Sequence, residues 1–345
     1  MKLLVVRNDK LGDFMLAWPA LALLKASLPQ AKVHALVRDY TRPMAELCPW
    51  IDNIVLAPET GNGVKDWRTL IRLMRQQHYD AVITLFSTTP VATAAFAVGI
   101  PYRLAPATKL AQVFYNRRLA QRRSRSEKPE WEYNIDLVRK FLADHGITAA
   151  ALPKTPYLQF PAAVTASLRQ QFCHDHGIDQ QARLVLIHPG SGGSASNLSL
   201  EQYATLAATL HSTRPLHFII GCGPGEDFKA ETLAALLESR PHTILRAGGI
   251  ADYARHIACM DLFISGSTGP LHVAGALDVP TAAFYPRRRS ATPLRWQTLN
   301  SPQRRLAFTP PDNAGESEMS AIDLTAAAEE ICPCMDGIWR EAGCR

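Results

Sequence analysis

Asp261 to Pro286, DLFISGSTGPLHVAGALDVPTAAFYP, constrains the fold more than any other stretch of the chain. The apolar run Leu262-Phe263-Ile264 predicts a buried strand, Ser265-Gly266-Ser267-Thr268-Gly269 a tight turn, and Pro270 to Leu277 a helix opened by proline. Asp278-Val279-Pro280 stops that helix, and Thr281 to Tyr285 reads as another buried strand. Strand, glycine turn, helix and strand make one βαβ unit. Small polar residues at a helix mouth offer backbone N–H groups and hydroxyls to an anion, assisted by the helix dipole. The same residues also suit an ordinary βα turn with a good N-cap.

The pattern recurs upstream. Arg183 to His188 and Pro215 to Gly221 read as strands, each followed by small residues: Pro189-Gly190-Ser191-Gly192-Gly193-Ser194-Ala195-Ser196-Asn197 and Cys222-Gly223-Pro224-Gly225-Glu226. Helices are expected over Ala166–His176, Leu200–His211, from Glu226 to about Ser239, and over Ile250–Met260, with a short strand at Thr243–Leu245. Strand–helix alternation implies a parallel sheet, which puts the turns 189–197, 221–226 and 265–270 on one edge. Gly190, Ser191, Gly192, Ser196, Ser267, Thr268 and Gly269 would converge there as a cradle for a diphosphate and ribose, with Glu226 suited to accept from ribose hydroxyls. No turn ends in the phosphate-loop Gly-Lys-Ser/Thr and none opens with GxGxxG, which disfavours an ATPase or an NAD dehydrogenase.

The first half is built alike. KLLVVR at 2–7 and KVHALV at 32–37 read as strands flanking an alanine-rich helix from Phe14 to near Pro29. Further on, Trp67–Gln77, Val91–Val98 and Trp131–His145 read as helices and Tyr79–Phe86 as a strand, with a turn at 99–104. Asp13 falls beside the end of the first strand, at a helix mouth. There it reads either as a general base for an attacking hydroxyl or as a helix N-cap. Between Lys109 and Lys128 five arginines face a single acid, Glu127. This basic run reads as a solvated loop, or as a site for an acidic glycan at an anionic membrane surface.

At 345 residues, 47% hydrophobic and 20% charged, the chain supports two α/β domains. We expect a Rossmann-like doubly wound domain at 1–155, a second at 165–315, and a helical segment at 316–345, broken by Cys332-Pro333-Cys334 and able to pack back on the first domain. A net charge of +6 fits an anionic partner. The start lacks a signal-peptide pattern, and the longest apolar run, 91–100, has about half the length of a membrane span. Both predict a cytoplasmic protein. The seven cysteines have neither disulfide nor metal-ligand spacing, so no metal site is expected.

Four pieces of the chain resemble glycosyltransferase family 9, the ADP-heptose:lipopolysaccharide heptosyltransferases. They are VVRNDKLGDFMLAWPAL at 5–21, IHPGSGGSASNLSLEQY at 187–203, GCGPGE at 221–226 and ISGSTGPLHVAGALDVPTAAFYP at 264–286. The resemblance implies a GT-B fold, two Rossmann-like domains facing across a cleft. It implies an inverting, metal-independent transferase with no cofactor beyond its nucleotide sugar, expected to be ADP-heptose. Asp13 matches the family's catalytic base, and Ser191, Glu226, Thr268, Gly269 and His272 match nucleotide-sugar contacts. The acceptor would be a lipopolysaccharide core or another anionic glycan, met by Lys10, Arg103, Lys109, Arg117 and Arg118, with peripheral contact to the inner membrane and no nucleic acid. Three departures from the family pattern stand out: Ser196 replaces a frequent lysine, Leu198-Ser199 a common tryptophan-proline, and Ser267 a frequent aspartate. Lys10, Arg7 or Arg287 to Arg289 could supply the missing charge. The alternatives are a family transferase with another sugar or acceptor, a sugar-nucleotide epimerase, and a binding module without catalysis.

Overall fold

The computed structural model describes residues 1–108, 110–191 and 196–337. Lys109 and Gly192, named above as site candidates, lie outside them. The chain forms two units, divided between Lys154 and Thr155.

Among the described residues the first unit holds β1 (Lys2–Val6), α1 (Leu11–Met15), α2 (Trp18–Ser27), β2 (Lys32–Val37), α3 (Arg42–Glu46) and β3 (Asn53–Leu56). It continues with α4 (Gly63–Gln77), β4 (Ala81–Thr84), α5 (Thr89–Val98), β5 (Tyr102–Pro106), β6 (Arg117–Leu119) and α6 (Glu130–Asp144). The strands are parallel in the order β3-β2-β1-β4-β5-β6. Leu3 to Val6 are all buried, the continuous apolar run of a strand covered on both faces. Leu4, Val6, Leu36 and Val82 pack under Leu70 and Met74 of α4 and Val91 and Ala95 of α5.

The second unit holds α7 (Ala162–Asp175), β7 (Arg183–His188), α8 (Leu200–Thr209), β8 (Leu216–Gly221), α9 (Asp227–Leu237) and β9 (His242–Leu245). After these come α10 (Ile250–Ile257), β10 (Leu262–Gly266), α11 (Gly269–Ala276), β11 (Thr281–Phe284), β12 (Arg305–Phe308) and α12 (Leu324–Met335). Its parallel sheet runs β12-β11-β10-β7-β8-β9. Counted from each unit's own first strand, both sheets have the order 3-2-1-4-5-6 of a Rossmann fold.

Several elements differ from the sequence-based expectation. The helix expected from Phe14 starts at Leu11 and breaks between Met15 and Trp18. Pro19, in the first turn of α2, has no N–H for the Met15 carbonyl, so a new helix begins there. The turn expected at 99–104 contains the start of β5, and the basic run contains β6. The arginines hide β6 because it is three residues long and lies at the sheet edge, where its side chains reach water. The expected break at Cys332-Pro333-Cys334 is absent, because Pro333 sits in the last turn of α12, where it forfeits one hydrogen bond. Ala327, Ala328, Ile331 and Cys332 of α12 belong to the second unit's core. No helix among the described residues is long and apolar enough to cross a membrane.

Candidate functional site

In a sheet ordered 3-2-1-4-5-6 the direction of winding reverses beside the first strand, and ligands bind outside the carboxyl ends of the strands at that point. In the first unit this is the gap between β1 and β4, followed by residues 7–13 and 85–88. In the second it lies between β7 and β10, followed by 189–197 and 267–268.

The second unit's edge is braced by two side chains. Glu226 accepts from the Ser191 N–H at 3.0 Å and from the Gly223 N–H at 3.1 Å, so one carboxylate ties the loop after β7 to the loop after β8. This approach demands glycine at 190, where a Cβ would lie 1.9 Å from Glu226 Oε2. Asn197 closes the β7 loop onto α8: its Nδ2 donates to the Pro189 carbonyl at 2.9 Å, and its Oδ1 accepts from Tyr203 of α8. Gly266, ending β10, leaves room for it, since a Cβ there would lie 2.6 Å from Asn197 Oδ1 and 3.1 Å from the Ser196 carbonyl.

Thr268 is the N-cap of α11; its hydroxyl accepts from the Leu271 N–H and pairs with Ser265 at 3.2 Å. Pro270 has no N–H and Leu271 is capped, which leaves Gly269 as the helical first-turn donor at the mouth. Ser196 and Ser267 are half-buried on the two facing loops. His188, at the end of β7, meets the Tyr253 hydroxyl at 3.1 Å. Burial pushes its imidazole down to about 4, against the pull of Glu226. Its 3.8 Å approach to Glu226 is therefore not an ion pair at neutral pH. Burial likewise pushes His272 down to about 4, and its Nδ1 has no hydrogen-bond partner among the described residues. Neither histidine supplies positive charge, so the polar groups this edge could offer an anion are N–H groups and hydroxyls.

A cation nearby is Lys229, exposed in the first turn of α9 and without an ion pair among the described residues; its field reaches His188 and lowers the imidazole's proton affinity. Arg287 is held by Asp312 at 2.9 Å and by the Ala314 carbonyl at 2.7 Å.

In the first unit, Asp13 lies in the first turn of α1 and is not its N-cap, a position held by the exposed Lys10. Its carboxylate accepts from Nη2 of Arg7. Arg7 is 3% exposed and also donates to Asp9 at 2.9 Å, Glu130 at 3.0 Å and Asn134 at 3.1 Å. Asn134 in turn donates to the Leu16 carbonyl at the α1–α2 break. Among the three acids on Arg7, Asp13 and Asp9 keep 15% and 13% of their side chains exposed and Glu130 only 1%. Asp13 is thus fixed yet open to a substrate. Burial and the charge of Asp13 raise Asp9 to about 6 against the pull of Arg7.

The cations proposed for the acceptor are dispersed. Arg103 donates to the carbonyls of Phe114 and Ile100, in the body of the sheet and away from its carboxyl edge. Arg117 and Arg118 lie exposed on β6, the edge strand, about 14 Å from β1 at three strand spacings. A basic face that the sequence reading passed over starts nearer the ligand edge. Lys65, Arg68 and Arg72 are exposed along α4, which follows the carboxyl end of β3, and line a cavity of about 660 Å³ with Asn62 and Thr69. Their spacing of three and four residues was visible in the sequence as one helix face. Arg7, Glu130 and Asn134 left no such signal, because they meet only in three dimensions.

Two doubly wound units in one chain, each with its loops gathered at the switch point, have the architecture of the GT-B fold. The model of glycosyltransferase family 9 (heptosyltransferase) matches residues 67–312, and the chain belongs to that family. A Haemophilus influenzae protein provisionally named a glycosyltransferase is 44% identical over 98% of both chains. Lipopolysaccharide heptosyltransferase 2 of Salmonella typhimurium is 25% identical over 83% of this chain and 82% of its own. In fold the chain is similar to E. coli ADP-heptose lps heptosyltransferase II, with a TM-score of 0.74, 19% identity and coverage of 97% and 98%. It is also similar to the family 9 glycosyl transferase of Veillonella parvula, with a TM-score of 0.76, 16% identity and 97% coverage of each chain.

Proposed function

We propose that this glycosyltransferase moves a heptose or a related sugar from an ADP-sugar to a phosphorylated lipopolysaccharide core, with inversion and without a metal. The observation that carries the donor side is the edge of β7, β8 and β10, where Glu226 ties the loops after β7 and β8 together and Asn197 closes the β7 loop, beside the capped Thr268–Gly269 helix mouth. The names of the heptosyltransferase relatives support heptose as the sugar and lipopolysaccharide as the acceptor. The acceptor belongs to the first unit, where Lys65, Arg68 and Arg72 offer charge to its phosphates. Asp13 takes the proton from the acceptor hydroxyl as that oxygen attacks the anomeric carbon. The bond from that carbon to the diphosphate oxygen breaks, and its electron pair leaves with the nucleotide. N–H groups and the α11 dipole stabilise the departing charge. The enzyme works in the cytoplasm, touching the inner membrane from inside.

Melting-temperature shifts against ADP, UDP, GDP and TDP and their sugars, with no metal added, test the donor. A selective shift with ADP and ADP-heptose is expected, followed by transfer that requires Asp13. A second reading keeps the transferase and changes the donor; Ser196 and Ser267, where the family often has charges, favour it. Preference for another nucleotide would decide for that reading.

A further inference from the structure

Residues 110–114 carry an exposed apolar ridge with no role in the donor or base sites. They form a single 3₁₀ turn, in which residues three apart stack on one face. Ala111 and Phe114 make the inner face: Ala111 is buried against Ala92, Ala105 and Tyr115, and the Phe114 ring lies 5.6 Å from that of Phe96. Leu110 and Val113 make the outer face and are 91% and 68% exposed. Phe96, on the last turn of α5, is 54% exposed beside them. An apolar cluster this exposed calls for an occupant.

The charge around the ridge identifies the occupant. The chain has no acidic residue between Asp80 and Glu127. The Arg103 guanidinium lies 5.5 Å from the centre of the Phe96 ring. Arg117 and Arg118 are exposed three and four residues past the turn, and the nearest acid, Asp144, stands 3.8 Å from Arg117. A convex apolar tip with a cationic rim inserts below the headgroups of an anionic bilayer while its arginines meet the lipid phosphates. A protein partner would be recognised over a broader surface holding both signs of charge.

We infer that Leu110, Val113 and Phe96, rimmed by Arg117 and Arg118, form the seat of this protein on an anionic phospholipid surface. The inference rests on the membrane contact proposed above and is independent of the donor and of the transfer step.

Co-sedimentation of the full chain with vesicles tests it. Binding is expected to vesicles of phosphatidylglycerol and phosphatidylethanolamine, weakening as salt rises, and not to phosphatidylcholine alone. The variant L110D/V113D should lose at least about tenfold in vesicle affinity. It should keep its melting temperature and its response to nucleotide, because both side chains point outward. F228D, which charges an exposed aromatic of the second unit, should bind vesicles like the native chain. Equal binding by L110D/V113D, or equal binding to phosphatidylcholine, overturns the proposal. So does the absence of vesicle binding together with a native dimer that L110D/V113D dissociates, which would make the ridge a contact between copies. Loss of transferase activity with intact vesicle binding would instead count against the proposed function alone.

Discussion

Arg7 donates to Asp13 with one terminal nitrogen of its guanidinium, Nη2, and to Glu130, 3.0 Å away, with the other terminal nitrogen, Nη1. The fork sets Asp13 against a buried partner that cannot move. Asp13→Asn should therefore lower kcat by about 10²–10⁴-fold, the usual contribution of a general base, with little change in donor KM or melting temperature. Arg7→Met should cost about 3 kcal/mol of stability, since it strips a shared cation from buried acids. Denaturant unfolding and single-turnover transfer separate the two effects. Arg7→Lys should rescue stability in part and activity poorly, because a point charge cannot hold two carboxylates in fork geometry.

Asp9 gives the first unit a distinctive pH response. Its folded-state value is raised to about 6 from an ordinary 3.8. Between those values the folded chain binds more protons than the unfolded one, so stability falls as pH rises through that window. Asp9→Asn cannot titrate and should flatten the fall. Chemical denaturation of both proteins across pH 4 to 7 measures the difference; a native profile parallel to that of Asp9→Asn would place Asp9 in ordinary solvent.

The alternation of apolar strands with small-residue turns made both doubly wound units legible, because buried parallel strands announce themselves as uninterrupted runs such as Leu3–Val6. It missed β3, only four residues long with one of them buried, and β5, β6 and β12, where Arg103, Arg117, Arg118 and Arg305 break the run. The loops of the donor edge were also visible as glycine and serine clusters. Their bracing was not: Glu226 reaches Ser191 across 35 positions, and Arg7 reaches Asn134 across 127. Local patterns report what a residue does to its own backbone. They say little about which distant loop its side chain will hold.

Gly190 should accept a side chain only if Glu226 swings away. A Cβ at 1.9 Å from Glu226 Oε2 must expel the carboxylate from its two N–H groups. Gly190→Ala should destabilise the second unit by about 1–3 kcal/mol and weaken nucleotide binding together with it. Glu226→Gln keeps one acceptor oxygen and should fall between the native chain and Gly190→Ala in both respects. Calorimetric binding of ADP alongside thermal unfolding checks the order.

The α4 face should matter to the acceptor and not to the donor. Arg68 and Arg72 are exposed and line the cavity beside Lys65. Arg68→Ala and Arg72→Ala should each raise the acceptor KM several-fold at low salt and less at high salt, as expected for contacts to phosphate in water. The nucleotide-induced rise in melting temperature should stay at its native value.

Lys229 is the residue we expect to replace the family's lysine at position 196. A lysine in the first turn of a helix opposes the dipole, so its placement on α9 is unfavourable until an anion arrives. Its backbone N–H donates to the Glu226 carbonyl at 3.0 Å, which anchors it beside the braced loops. Its field already reaches His188 beneath them. Arg287 is less available, being held by Asp312 and two carbonyls. Lys229→Ala should therefore weaken ADP about tenfold, the worth of one charge-assisted contact, and leave adenosine binding unchanged. Arg287→Ala should leave both ligands near their native affinity. If ADP binding survives Lys229→Ala and falls with Arg287→Ala, the donor charge comes from the loop after β11 instead.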